Sequence, residues 1–243
     1  MLPEHFYFTG AGWFGYVFYV PFALGLVGLL YAFVLRKIPI RIIRWPVLVI
    51  LVITLLTAPL WQALSISYQA EKLCKEQGGL HVYRTVEADG FLGGGSIKYW
   101  SKYGFKYIEG GCGKYGRLKC RKTMQNSEVN YEEITEWVSQ YSLKPGKTGP
   151  LQGGSFRINT FQVVDRKDGE VLGDLVYFQI SPSLFDKYLL HIISVEFNPW
   201  ICGNEAPAGE GSYLPGERKY IYGSDDVVKA TLKPDKSIAK EVQ

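Results

Sequence analysis

Across two stretches, Phe6 to Leu35 and Trp45 to Ala70, the chain has no Asp, Glu, Lys or Arg. Uncharged apolar runs of that length exceed the roughly 20 residues that a helix needs to cross a hydrocarbon core about 30 Å thick, so both read as membrane-spanning helices. Cations are also missing from the start, Met1-Leu2-Pro3-Glu4-His5. The first run is also longer than the roughly 7 to 15 apolar residues of a cleaved signal, and the expectation is two retained helices. Histidine is scarce, with only His5, His81 and His191, and no Cys-x-x-Cys or His-x-x-x-His spacing occurs. A zinc site is therefore not expected, and no metal or cofactor is assigned. Gly93-Gly94-Gly95 lacks the Lys and Ser/Thr of a phosphate loop, and no Gly-x-Ser-x-Gly elbow is present. No residue is assigned a catalytic role on these grounds, and the chain reads as a non-enzyme.

Between the apolar runs stand Arg36, Lys37, Arg41 and Arg44. Clustered cations beside membrane helices stay cytoplasmic, so the chain from about Tyr68 onward is expected outside the cytoplasm. Trp13, Trp45 and Trp61 suit an interfacial aromatic belt. Gly25, Gly28 and Ala32 offer a small-residue face for helix contact. The division expected is residues 1–67 as a hairpin anchor and 68–243 as one extracytoplasmic domain, about 175 residues being enough for a core of its own. The four cysteines, Cys74, Cys112, Cys120 and Cys202, all fall in that second part, as an oxidising compartment favours. Of three pairings, Cys112 with Cys120 across a glycine-rich turn is preferred, which leaves Cys74 with Cys202.

The second helix continues through Ile66, Ala70, Leu73 and Cys74 to a glycine stop at Gly78-Gly79. Leu80, Val82 and Val86 alternate with His81, Tyr83 and Thr85 as a first strand. Ile97 to Glu109 reads as a strand with Ile97, Tyr99, Tyr103, Phe105 and Tyr107 on one face and Lys98, Trp100, Lys102 and Lys106 on the other. It pairs with a strand carrying Arg117, Lys119 and Arg121. Asn130 and Glu133 suggest a helix start ahead of the stripe Ile134, Trp137, Val138 and Tyr141. Pro145 to Gly154 reads as a loop. Phe156 to Val164 and Val171 to Ile180 form a hairpin, Tyr188 to Phe197 another strand, and the chain from Pro199 is irregular, with a mobile end from Asp235. The class expected is α+β, a two-helix transmembrane hairpin followed by a mainly antiparallel sheet with one amphipathic helix.

The feature most suggestive of binding is charge. Between Lys98 and Lys122 there are eight Lys or Arg against the single acid Glu109, in a chain of net charge +4. Like charges facing each other across strands repel, so Lys98, Lys102, Lys106, Arg117, Lys119 and Arg121 are read as a face for an anionic partner, either a lipid headgroup, an acidic envelope protein or a polyanion. The bland alternative is a solvated face that guards the sheet against aggregation. Nucleic acid is not expected, because the tyrosines fall on the opposite face and only Trp100 sits beside the cations. His191 shares a face with Leu189, Ile193, Val195 and Phe197 and reads as a core histidine, while His81 is ambiguous. Asp225-Asp226 reads as a solvated turn. The functional expectation is a protein of the bacterial inner membrane whose periplasmic domain binds another envelope component, as an assembly factor or an immunity-type protein. Its alternatives are an envelope hydrolase using His191 or His81, and a structural subunit of a membrane complex.

Overall fold

The computed structural model describes residues 3, 5–33, 37, 41–113, 116–125, 127–151, 154–205, 212–213 and 220–234, and at 41, 42, 212, 213 and 220 the backbone alone. Arg36 and the end from Asp235 lie outside the described residues. The fold is α+β, with two long apolar helices followed by a mostly antiparallel sheet and shorter helices. The chain forms two compact units, one of Met1–Leu73, Pro150–Phe156 and Gln179–Ile201, the other of Cys74–Gly149, Arg157–Phe178 and Cys202–Gln243.

In the first unit, α1 (Gly10–Phe33) and α2 (Arg41–Glu76) each have the length and composition to cross a membrane. Of their most apolar stretches only 11% and 6% of residues are buried, whereas the core helix of a soluble protein is mostly buried. Thr9 sets the start of α1, its hydroxyl accepting the Gly12 N–H at 2.8 Å as an N-cap does. On α2, Ala63, Ile66, Ser67 and Ala70 form a buried stripe at helical spacing. Gly25 and Gly28 have open space where a Cβ would stand, so the small-residue face expected from the sequence is not what joins the two helices. The contact is partly polar instead. Pro59 has no N–H to give the Leu55 carbonyl four residues earlier, and the Tyr19 hydroxyl donates to that carbonyl at 2.9 Å. The Tyr16 hydroxyl does the same for Leu56. α2 ends at Glu76, just before the expected glycine stop, with Gly79 at φ +129°.

The same unit contains α4 (Leu184–Ile192). A strand was expected over 188–197, and the structure overturns it. Ser183 caps the helix by accepting the Asp186 N–H at 3.2 Å, and Asp186 and Leu190 fall on its buried side. Helical spacing thus outweighs the alternation of Leu189, His191, Ile193, Val195 and Phe197. His191 consequently sits exposed in the last turn rather than in a core.

The second unit holds all or most of strands β1 (Gly79–Val82), β3 (Gly90–Leu92), β4 (Tyr107–Cys112), β5 (Leu118–Gln125), β6 (Glu128–Glu133), β7 (Tyr141–Pro150), β8 (Phe156–Asp165) and β9 (Val171–Ile180). Among the described residues they run in the order β1-β9-β8-β7-β3-β4-β5-β6, and β10 (Trp200–Cys202) also pairs with β9. β1/β9, β4/β5 and β5/β6 are antiparallel, while the short β3 is parallel to β4 and β7. The first strand is shorter than expected, and Val86 lies in β2 (Val86–Glu87), parallel to β13 (Leu232–Lys233). A further pair, β11 (Ser212–Tyr213) and β12 (Tyr220–Ile221), precedes α5 (Ser224–Thr231). The core gathers Phe91, Trp100, Phe105, Ile108, Leu172 and Val227. Asp225-Asp226 is the first turn of α5, not a solvated turn. Asp226 is 8% exposed, accepts the Gly223 N–H at 2.7 Å and pairs with Lys229 at 3.0 Å.

Three other expectations fail for identifiable reasons. Ile97 to Tyr103 is not strand but α3 (Ile97–Trp100) and a 3-10 turn (Ser101–Tyr103), closed by Gly104 at φ +95°. The alternation there is broken by Ser101. Ile97 and Trp100, three apart, are each 1% exposed, so Trp100 belongs to the core rather than beside the cations. The helix expected from Asn130 is β6 and an irregular stretch. Glu132 stands opposite Arg121 and Tyr131 opposite Lys122, cross-strand partners that a helix would forfeit. The expected loop from Pro145 lies largely within β7. β3 meets β7 only at Ser142, so beyond it this strand is an edge on that side, the setting that tolerates proline.

Candidate functional site

The six cations singled out in the sequence do not share one face. Lys98 and Lys102 are exposed on α3 and the 3-10 turn. Lys106 precedes β4 and pairs with Asp89 at 2.8 Å. Lys119 and Arg121 share the other face of β5 from Lys122, as period-2 geometry requires. The Lys119 ammonium donates to the Thr135 carbonyl at 3.0 Å and stands 5.7 Å from the Trp137 ring centre. Arg117 is exposed just before β5. The strand β6 adds Glu128, Glu132 and Glu133 to this region, and these acids offset part of the charge surplus read from 98–122.

Arg121 is a structural residue. Its guanidinium reaches Glu109 Oε1 at 3.0 Å and lies 4.8 Å from the centre of the Tyr107 ring. Glu109 is fully buried, and its other oxygen accepts the N–H groups of Val138 and Ser139, both at 2.9 Å. Burial by itself pushes the Glu109 carboxyl up. The bonds from Ser139, Arg121 and Val138 outweigh it and hold the group below the usual carboxylate range. This clasp fixes the irregular 134–140 stretch against the sheet, which explains why those residues need no helix. The lone acid in a basic segment was the sequence signal for it.

Near the Cys112–Cys120 end a shallow depression is lined by Gly111, Cys112, Gly113, Lys122 and Tyr131. The two half-cystines stand 5.8 Å apart at Cα, and Cys74 and Cys202 stand 5.7 Å apart, so both expected pairs form. His81, on β1, places Nδ1 3.0 Å from Asp174 Oδ1, and the Tyr83 hydroxyl donates to the same oxygen at 3.3 Å. Its register partner across the strands is Asp174, so the contact follows from pairing. His191 and His81 lie in different units, and the sequence offered no signal for Asp174. Lys229 sits over Tyr103 at 4.9 Å and against Asp226. Burial pulls its ammonium down, but Tyr99 and Asp226 hold it above the usual lysine range. That cluster seals α5 to the α3 region and is structural. Among the described residues no group of three or more His, Cys, Asp or Glu is placed to hold a metal ion.

Set against models of known families, the curated proteins and the solved structures, the chain matches none.

Proposed function

We propose that this is a protein of the bacterial inner membrane, with residues 1–67 as anchor and 68–243 as a periplasmic α+β domain that binds another envelope component. It acts as an assembly factor or an immunity-type protein and catalyses no reaction. The observation that carries this reading is the combination of two exposed apolar helices, joined by a segment rich in cations, with four cysteines in two disulfide pairs. Cations hold the connection in the cytoplasm, and disulfides persist on the opposite side. The binding residues proposed are the exposed cations Lys98 and Lys102 of the α3 region and Arg117 and Lys119 at the start of β5, and their partner an anionic protein face, lipid headgroup or polyanion.

Binding is tested by changing those four residues to Gln in the full chain held in zwitterionic nanodiscs, with polyphosphate as the probe. At up to about 1 kcal/mol for each cation near an anionic surface, the loss of all four lowers affinity by up to roughly a thousandfold, and the salt dependence flattens. Unchanged affinity and salt dependence assign the cations to a solvated face. Arg121 and Lys106 are left intact because their carboxylate partners, Glu109 above all, depend on them.

The second reading, an envelope hydrolase, draws on the His81–Asp174 pair, which orients an imidazole as general bases require. Among the described residues no hydroxyl or thiol bonds to the remaining ring nitrogen, so a hydrolase built on this pair would use water as its nucleophile.

A further inference from the structure

α4 leaves an apolar stripe uncovered. Leu184, Tyr188 and Ile192 recur at four-residue spacing and are 68%, 67% and 60% exposed, and Ile193 and Val195 just beyond the helix are 53% and 52% exposed. A soluble surface does not gather such residues without a reason. The opposite side of the helix says where this stripe lies. The Thr9 hydroxyl donates to Asp186 Oδ1 at 2.6 Å, and the Phe185 ring stands 6.2 Å from Phe8 and 5.9 Å from Tyr19. A Cβ on Gly12 would collide with the Asp186 carboxylate, and one on Gly15 with the Leu189 side chain. Two glycines three residues apart therefore let α4 lie directly on the N-terminal half of α1, as far along as Tyr19.

The level is marked a second time on α2. The Leu184 N–H donates to Gln62 Oε1 at 2.8 Å, and the neighbouring Trp61 is 71% exposed, as is Trp13 at 48% on α1. Tryptophans in such positions form the belt at a bilayer interface. The stripe of α4 is thus continuous with the apolar surface of the two long helices. Lys187 and His191 border the stripe and are exposed, where headgroup phosphates stand.

We propose that α4 and the turn behind it are an interfacial membrane element, with Leu184, Tyr188 and Ile192 seated in lipid beside the first turns of α1. The occupant of the stripe is the bilayer. This rests on α1 and α2 spanning a membrane, and not on which side their connection faces.

The test uses the full chain in phosphatidylcholine/phosphatidylglycerol vesicles. Nitroxides are placed through Tyr188→Cys and Ile192→Cys, with Phe18→Cys as the deep reference and Tyr131→Cys as the aqueous one. Oxygen and a water-soluble nickel chelate are the relaxing agents. Positions 188 and 192 are expected to favour oxygen over nickel several-fold more than position 131, at a depth shallower than position 18. Resistance of Cys74, Cys112, Cys120 and Cys202 to alkylation in each variant verifies the fold. Nickel access at 188 and 192 equal to that at 131 overturns the proposal. So does shielding from both agents, which would show a protein covering the stripe. Nickel access at position 18 as well would overturn the membrane reading beneath it.

Discussion

Two buried carboxylates illustrate how one residue's surroundings decide what it does. Glu109 and Asp186 are both fully buried. Glu109 has a guanidinium and two backbone N–H groups, and is held below the usual range. Asp186 is pushed up by burial, with bonds from Thr9 and Ser183 opposing it. The signs of their contributions to stability differ accordingly. A depressed carboxylate adds stability that is present above its unfolded pKa and is lost as pH falls through the folded value. A raised one adds stability that is present below its unfolded pKa and is lost as pH rises through the folded value. Glu109→Gln is expected to cost about 1.5–3 kcal/mol near neutral pH, the worth of hydrogen bonds to a charged group, and to flatten the acid limb of a thermal unfolding series against pH. An unchanged acid limb would show that Glu109 is not the titrating clasp.

At the scale of elements, the apolar helices are held together by what the backbone lacks. Proline in a membrane helix frees a carbonyl that has no water to turn to, and Tyr19 supplies the missing donor for Leu55. Tyr19→Phe is expected to weaken the hairpin by about 0.6–2 kcal/mol, as interhelical hydrogen bonds in bilayers do. In a Pro59→Ala background the restored N–H should take over, and the same change should cost less. A double-mutant cycle on unfolding in mixed micelles reads this coupling, and equal costs in both backgrounds would refute it. The same logic of spare bonding groups separates α4 and β6 from their expected forms. Ser183 gives α4 a cap, and the residues facing β5 give β6 a partner.

For the whole molecule the deciding property is sidedness. Thiol labelling of Cys74, Cys112, Cys120 and Cys202, in intact cells and opened membranes, with and without reductant, measures it. All four are expected to resist labelling until reduction, and reductant added to intact cells is expected to expose them. Thiols that label without reductant, and only once the membrane is opened, would invert the topology and remove the envelope reading.

Much of this protein was legible in its residues because some signals depend on composition and local order alone. Absence of charge marks the long helices, glycine marks the stop of the second, and the turn Asp165 to Gly169 marks the β8–β9 hairpin, whose bounds agree with the expectation to within a residue. Both cysteine pairings could be reached by spacing and elimination. The candidate site was less legible. Its cations were found as a cluster in sequence, but a run of alternating aromatics does not say whether it lies flat on a sheet or turns inward, and the demands of the Phe91–Trp100–Phe105 core settled that.

The sequence by itself thus determined the apolar span of the chain and its α+β class and favoured the pairing of its cysteines, since each follows from residue type and position along the chain. Only the tertiary structure decided which lysines remain exposed, where Glu109 finds its partners and that residues 184–192 coil against α1. Those outcomes depend on groups distant in sequence competing for the same hydrogen bonds and the same buried space.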